Sequence, residues 1–133
     1  MEFGRVIKVE YGKFEDLKKQ LLYKRIVKWS EDELVLHDGT TITIECSEQD
    51  CCASAGGKFK NVELDATITN IAESDRNRAS FYSEILNYIV ISIYHNQNVI
   101  AQANCRADNG NSGHYYSVCS LVVKDVHYKV VEA

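Results

Sequence analysis

Polar and hydrophobic residues alternate along most of the chain, and one segment near the N-terminus follows a different period. Arg5–Tyr11 (RVIKVEY) and Lys24–Trp29 (KRIVKW) alternate as half-buried strands do. Between them, Phe14–Tyr23 (FEDLKKQLLY) places its apolar residues at helical spacing, which predicts a short amphipathic helix.

The clearest local signal is a β-hairpin. Two runs rich in apolar and β-branched residues, Glu33–Leu36 and Thr40–Cys46, flank His37–Gly39. The Asp-Gly pair supplies the positive φ values that a tight primed turn needs. The alternation directs Ile42 and Ile44 towards the core.

The rest of the chain continues the strand pattern. Polar stretches at Glu73–Ser80 and Asp108–Gly113 are predicted loops, and Asn96–Asn98 is a predicted turn. The further predicted strands are Phe59–Leu64, Ala66–Ala72, Phe81–His95, Val99–Arg106, His114–Lys124 and Val126–Val131. The pattern predicts an α+β fold, a β-dominated antiparallel sheet with one short N-terminal helix, in a single domain over residues 1–133.

Charge and composition narrow the functional class. The net charge of −4 combines a basic segment at residues 1–29 with an acidic remainder. An acidic body argues against duplex nucleic acid as a partner, because duplex binding needs many cations. No apolar run is long enough for a membrane span, so no membrane partner is expected. Five cysteines, an odd number, and no secretory signal pattern predict a reduced protein in the cytoplasm.

The adjacent pair Cys51-Cys52 raises the question of metal, redox or nucleophilic chemistry. Zinc ligands are usually separated by two to four residues, so neighbouring thiols chelate poorly. The sequence shows no nucleophile elbow, no His-Glu metal motif and no phosphate-binding loop. We therefore expect no metal, no cofactor and no catalytic residue. The metal alternative would draw its ligands from Cys46, Cys51, Cys105, His114 and Cys119.

A ligand-binding site is better supported than a catalytic one. The turn-rich Asp108–Gly113 leads into Tyr115-Tyr116, and on a strand one of these rings would pack in the core while the other lies at the surface. A surface tyrosine near Arg106 can stack on a base while the guanidinium binds a phosphate. The alternative is an ordinary hairpin with an amphipathic tyrosine. The predicted ligand-binding residues are Asp50, Cys51, Cys52, Arg106, Asn109, His114, Tyr115 and Tyr116.

Four motifs together resemble an uncharacterised domain family of bacteria and their phages. They are Leu36–Thr40, Gln49–Cys52, the pair Ala72-Glu73 and Asn109–Ser117, and their order agrees over residues 33–124. Family members usually carry Glu directly after the two cysteines, where this chain has Ala53. A role tied to that acid therefore does not carry over.

The resemblance implies a provenance rather than a mechanism. It suggests a small cytoplasmic accessory protein of phage or prophage type, non-catalytic and homo-oligomeric. Such a protein can counter host defence by sequestering a small nucleotide-type signalling ligand. The first alternative is an inhibitor that binds a host defence protein. The second is a cysteine- or metal-dependent hydrolase.

Overall fold

The computed structural model of the protein describes residues 9–110 and 113–133. Its helix and strands, in chain order, are β1 Glu10–Tyr11, α1 Phe14–Leu21, β2 Ile26–Trp29, β3 Glu33–Leu36, β4 Thr41–Gln49, β5 Ala55–Lys60, β6 Asn70–Phe81, β7 Glu84–His95, β8 Asn98–Asp108, β9 Ser117–Val123 and β10 Val126–Glu132. The predicted β-dominated α+β class is confirmed.

The strands form two sheets rather than one. A six-stranded sheet has the order β1-β10-β9-β4-β3-β2, and a four-stranded sheet has the order β5-β8-β7-β6. All neighbours are antiparallel except β1 and β10. Apolar side chains of both sheets, such as Leu121 of β9 and Ile91 of β7, belong to one buried core. The outer face of the four-stranded sheet is therefore free to carry polar side chains.

The predicted helix is confirmed and packs against β10. Leu17 and Leu21 are fully buried on its inner side. Glu15 and Asp16 lie in the first turn and basic residues in the last, which suits the helix dipole. The Gln20 side-chain amide donates a 2.5 Å hydrogen bond to the Tyr128 hydroxyl and so joins helix to strand. No helix among the described residues is long and apolar enough to cross a bilayer.

The predicted β3–β4 hairpin is confirmed, with Ile42 fully buried, but its turn differs from the prediction. The Leu36 N–H donates to the Thr40 carbonyl at 2.8 Å, which closes a three-residue loop instead of a two-residue one. Gly39 has a φ of 88°, whereas Asp38 does not adopt a positive φ. The Asp38 carboxylate instead accepts the Thr40 N–H at 3.0 Å. A longer loop with one left-handed glycine thus replaces the primed turn.

Three predicted elements between residues 59 and 80 differ from the structure. The stretch Glu73–Ser80, predicted as a loop, lies within β6 and pairs with β7 along its length. It is an edge strand, where charged and polar side chains are tolerated and discourage pairing with other chains. The strands predicted at Phe59–Leu64 and Ala66–Ala72 are displaced, because positive φ angles at Asn61 and Asp65 interrupt the extended chain.

The strand predicted at His114–Lys124 begins only at Ser117, as β9. This prediction is wrong for Tyr115 and Tyr116, which precede the strand. The turn predicted at Asn96–Asn98 is confirmed: β7 ends at His95 and β8 starts at Asn98. Residues 5–8 of the first predicted strand and residues 111–112 of the predicted loop lie outside the described residues.

Candidate functional site

Two loops that the sequence singled out meet beside the start of β9. We call residues 50–54, 108–110 and 113–117 the loop junction. The Asp50 N–H donates to the Tyr116 carbonyl at 2.8 Å, and the Tyr115 N–H donates to the Asn109 carbonyl at 2.9 Å. The structure therefore brings together these four predicted site residues through their backbones.

Asp108, at the end of β8, holds the loop junction together. Its carboxylate accepts the Ser54 N–H at 3.1 Å, the Ser54 hydroxyl at 2.7 Å and the Gly110 N–H at 3.0 Å. The buried Ser117 hydroxyl donates to the Asp108 carbonyl at 2.6 Å. Sequence reasoning missed this residue. The available signal was its place two residues before a glycine, where Asp commonly accepts a backbone N–H.

The side chains of Cys51 and Cys52 lie exposed at the loop junction. Their Sγ atoms are 3.3 Å apart, and this contact raises the pKa of the Cys51 thiol. Cys52 has a φ of 98°, a conformation that residues with a Cβ rarely adopt. The nearby Cys52 thiol also raises the pKa of the Tyr115 hydroxyl through its charge and a hydrogen bond.

Of the other three thiols, Cys105 and Cys119 belong to the core and Cys46 is half-buried. Cys105 and Cys119 are buried and in contact, and Cys46 is the register partner of Cys119. They are therefore separated from the exposed Cys51-Cys52 pair. No group of three His, Cys, Asp or Glu side chains within residues 9–110 and 113–133 has a geometry that could hold a metal ion.

Neither tyrosine of the Tyr115-Tyr116 pair enters the core, so that prediction is wrong. Both lie in the loop before β9, where strand alternation does not apply. The Tyr116 hydroxyl donates to the Glu132 carboxylate, and desolvation together with this hydrogen bond raises the pKa of Tyr116 to about 12. Tyr115 is half-buried and packs over Gly110, where an added Cβ would lie 2.5 Å from its ring. His114 is exposed.

A groove of about 730 Å³ crosses the outer face of the four-stranded sheet, and we call it the sheet groove. All four strands contribute side chains to it. These are Lys58 and Lys60 of β5, Asn104 and Arg106 of β8, Tyr88 of β7 and Asn77 of β6.

The register of the sheet places an open tyrosine ring in the sheet groove. Gly56, Arg106, Tyr88 and Asn77 are successive partners across β5, β8, β7 and β6, so they share one face. Tyr88 is 41% exposed, and its hydroxyl makes no hydrogen bond with any described residue. At Gly56 no atom lies within 4 Å of the position that a Cβ would take. The open space at Gly56 therefore lies beside Arg106, the cross-strand neighbour of Tyr88.

Three cations line the sheet groove. The Arg106 guanidinium lies 3.3 Å from the Ser54 hydroxyl and 3.9 Å from the Asp108 carboxylate, and its side chain is 47% exposed. Lys58 pairs with Glu31 at 3.1 Å, and Lys60 makes no ion pair with the described part of the chain. Arg106 thus belongs to the groove and also touches the loop junction.

The predicted site residues fall into two places. Seven lie at the loop junction: Asp50, Cys51, Cys52, Asn109, His114, Tyr115 and Tyr116. Arg106, predicted to act with those tyrosines, instead lies opposite Tyr88. Sequence reasoning missed Tyr88, Lys58, Lys60, Asn77 and Asn104.

Comparison with known proteins gives one result. The family model described as "Domain of unknown function (DUF7448)" matches residues 19–122, which contain both the sheet groove and the loop junction. No curated protein and no solved structure matches the chain.

Proposed function

The chain belongs to the DUF7448 family of domains of unknown function, and from its own geometry we propose that it is a non-catalytic protein that binds a small nucleotide-type ligand in the sheet groove. The observation that carries this proposal is the exposed ring of Tyr88 beside Arg106 on an open sheet face. Of the eight residues expected to bind the ligand, only Arg106 lies in the sheet groove, and we assign the other seven a supporting role at the loop junction.

The chemistry of the sheet groove suits a nucleotide. A base stacked on an exposed aromatic ring gains about 1–3 kcal/mol, and Tyr88 offers such a ring. The Arg106 guanidinium can bind a phosphate through two parallel hydrogen bonds. Asn77 and Asn104 carry side-chain amides, which both donate and accept hydrogen bonds as base edges do.

The buried Asn104 Oδ1 supports the proposal in a further way. It has no hydrogen-bond partner among the described residues. Buried polar atoms are normally paired, so an unpaired one in a groove calls for an explanation. Because no hydrogen bond holds this atom, the amide can turn towards a base edge at low cost.

The size and charge of the sheet groove favour a small ligand over a duplex. A volume of about 730 Å³ lies in the range of small-molecule sites. Three cations are enough for one to three phosphates but fall short of a duplex interface, and the chain as a whole carries a net charge of −4.

A second candidate function, binding of a host defence protein, has its own observation. Phe81 and Tyr82, at the tip of the β6–β7 hairpin, are 68% and 90% exposed, and their rings contact each other at 4.6 Å. Exposed aromatic residues often supply most of the energy of a protein interface. Tyr82→Ala should abolish capture of such a partner and leave nucleotide binding unchanged.

The biological setting that we propose is a phage or prophage accessory protein acting in the host cytoplasm as a homo-oligomer. Sequestering a nucleotide signal would then counter host defence. Light scattering on the purified protein checks the oligomeric state, and a mass equal to the single chain of 15.1 kDa would contradict it.

Two measurements test the proposed ligand. Denatured protein is analysed by mass spectrometry for a released small molecule, and thermal unfolding is followed with a panel of cyclic and linear nucleotides. We expect at least one nucleotide to raise the unfolding temperature. No released ligand and no shift with the whole panel would overturn the proposal.

Matched variants locate the site. Tyr88→Ala should abolish the thermal shift, whereas Tyr88→Phe should retain it, because stacking needs the ring and not the hydroxyl. Gly56→Leu should block the groove without backbone strain. Tyr116→Phe, at the loop junction, is the control and should leave binding intact. Binding lost in Tyr116→Phe but kept in Tyr88→Ala would place the ligand at the junction instead.

A further inference from the structure

The cations of the sheet groove form a regular row. Gly56, Lys58 and Lys60 share the outer face of β5, and same-face residues of a strand are about 6.7 Å apart. Gly56 has no side chain to carry a charge. Its register partner Arg106 therefore supplies the cation of that row. The face therefore presents three positive groups in successive rows, from Arg106 through Lys58 to Lys60.

This spacing resembles that of successive phosphates along an extended single strand of nucleic acid. Proteins that bind such strands combine a cationic track along the backbone with aromatic rings on which bases stack. Here the track runs along β5, and the Tyr88 ring lies two strands away in the row of Arg106. A base on Tyr88 would then belong to the nucleotide whose phosphate meets Arg106.

The side chains between the track and the ring fit the same ligand. In the second row Lys58 is partnered by Asn104. In the third row Lys60 is partnered by Gln102, whose amide already binds Asn61 at 2.8 Å and Ser92 at 3.5 Å, so Asn104 is the amide offered to the ligand. Amide side chains can hydrogen-bond to sugars and base edges without fixing one base. The Val90 side chain, next to Asn104, leaves an apolar surface beneath a second base.

The carboxylates nearest to the row of cations do not prevent a phosphate from binding there. The Glu31 carboxylate pairs with Lys58, but both side chains are well exposed, at 63% and 71%. Such surface pairs contribute little, so a phosphate can replace the carboxylate. Asp108 is 3.9 Å from Arg106 and is already bound to three other donors in the loop junction.

We propose that the ligand of the sheet groove is a short linear oligonucleotide of about three nucleotides, bound as a single strand with its phosphates along Arg106, Lys58 and Lys60 and its first base on Tyr88. This inference rests on the proposed function and names its ligand class. Binding to the track is electrostatic and to the ring is by stacking, so little sequence preference is expected.

The test measures affinity for 5′-phosphorylated oligoadenylates of one to four nucleotides by calorimetry. We expect affinity to rise with each added nucleotide up to three and to level off at four. The logarithm of affinity should fall with the logarithm of salt concentration with a slope of about −2 for the trinucleotide, since each neutralised phosphate of a single strand contributes about −0.7.

Variants that each remove one lysine test whether each cation of the row contacts a phosphate. Lys60→Gln should reduce the salt slope by about 0.7 for the trinucleotide and leave mononucleotide binding unchanged. Lys19→Gln, on the exposed side of α1, is the matched control and should change neither.

The outcomes separate this inference from the proposed function. Equal affinity for one and three nucleotides, or binding of a cyclic nucleotide alone, would overturn the oligonucleotide inference while the proposed function stands. Failure of every nucleotide and every oligonucleotide to bind would overturn both. A trinucleotide that binds equally well to Lys60→Gln would also contradict the proposed row.

Discussion

The loop junction and the sheet groove meet at Arg106, but they differ in how far their polar groups are hydrogen-bonded. In the junction, backbone N–H groups and the side chains of Asp108, Ser54 and Ser117 are engaged with one another. In the groove, the Tyr88 hydroxyl and the Asn104 Oδ1 have no partner among the described residues. Paired polar groups stabilise the fold, whereas an unpaired buried one such as the Asn104 Oδ1 costs free energy until something pairs with it.

The two regions also differ in how visible they are in the sequence. The Asp-Cys-Cys and Tyr-Tyr-Ser segments stand out in the sequence and lie at the loop junction. Tyr88 lies in an ordinary strand between Asn87 and Ile89 and attracts no attention. Under our proposal, the loop junction supports the fold, and the binding side chains are those that the register of the sheet brings to its outer face.

The largest difference in stability is expected between alanine substitutions at two adjacent glycines, Gly56 and Gly57, at the border of the loop junction and the sheet groove. An added Cβ at Gly57 would lie 2.2 Å from the Asn104 carbonyl oxygen, whereas Gly56 has open space. Gly57→Ala should lower the free energy of unfolding by about 3 kcal/mol, as overpacking does. Gly56→Ala should leave it unchanged or raise it by up to about 1 kcal/mol, because alanine restricts the unfolded chain more than glycine. Urea unfolding measures both. Equal losses would contradict the assigned register of β5 and β8.

A smaller loss of stability is expected when the Asp108 carboxylate is removed from the loop junction. Asp108→Ala leaves the N–H groups of Ser54 and Gly110 without their acceptor and should cost about 2–3 kcal/mol in thermal or urea unfolding. Asp75→Ala, an exposed residue of β6, is the control and should change stability by about 0.5 kcal/mol or less. If the two variants lose the same stability, the Asp108 carboxylate does not stabilise the loop junction.

The two tyrosines should differ when their hydroxyls are removed. Tyr116→Phe loses a hydrogen bond to Glu132 and should cost about 1 kcal/mol, whereas Tyr88→Phe loses none and should be neutral. Because folding raises the pKa of Tyr116 from 10.0 to about 12, its contribution is complete below pH 10 and is lost as pH rises from 10 to 12.

Urea unfolding between pH 8 and 12 measures this contribution. Over pH 10–12 the wild-type protein should lose stability more steeply than Tyr116→Phe. Parallel pH profiles of the two proteins would contradict the role of the hydroxyl. The hydrogen bond also lowers the pKa of Glu132, so its share of stability is present above the ordinary carboxyl pKa and lost as pH falls.

The smallest effect concerns the ion pair at the edge of the groove. Lys58→Gln and Glu31→Gln should each change stability by about 0.5 kcal/mol or less, because exposed pairs contribute little. Their effects on oligonucleotide affinity should be opposite: Lys58→Gln weakens binding and Glu31→Gln strengthens it. Titration of both variants at low salt checks this, and a change of the same sign would contradict it.

Local patterns were enough to predict much of the fold. The helical spacing in Phe14–Tyr23 and the Asp-Gly signal of the β3–β4 hairpin depend on neighbouring residues only. The strand character of β6 escaped prediction because an edge strand exposed on both faces needs no alternation. Its hydrogen bonds to β7 stabilise it, and that partner is not visible from its own residues.

The sheet groove escaped prediction for a different reason. The pairing of His95 with Asn98 at the β7–β8 turn would, without interruption, place Asn87 opposite Arg106. A register shift between Ile93 and Tyr94 moves the pairing by one residue, so Tyr88 faces Arg106. A one-residue shift exchanges the faces of a strand. Nothing in the local sequence marks this bulge, and the composition of the groove depends on it.

Arg106 makes the two regions thermodynamically linked. Its guanidinium contacts Ser54 in the absence of a ligand, so a bound phosphate would compete with the junction for the same group. Such coupling is reciprocal. If phosphate binding shifts the opening equilibrium of the loop junction by some factor, opening of the junction strengthens phosphate binding by the same factor. Amide hydrogen exchange at Ser54 and Gly110, more than 50 positions apart in the chain, would then rise together when the groove fills.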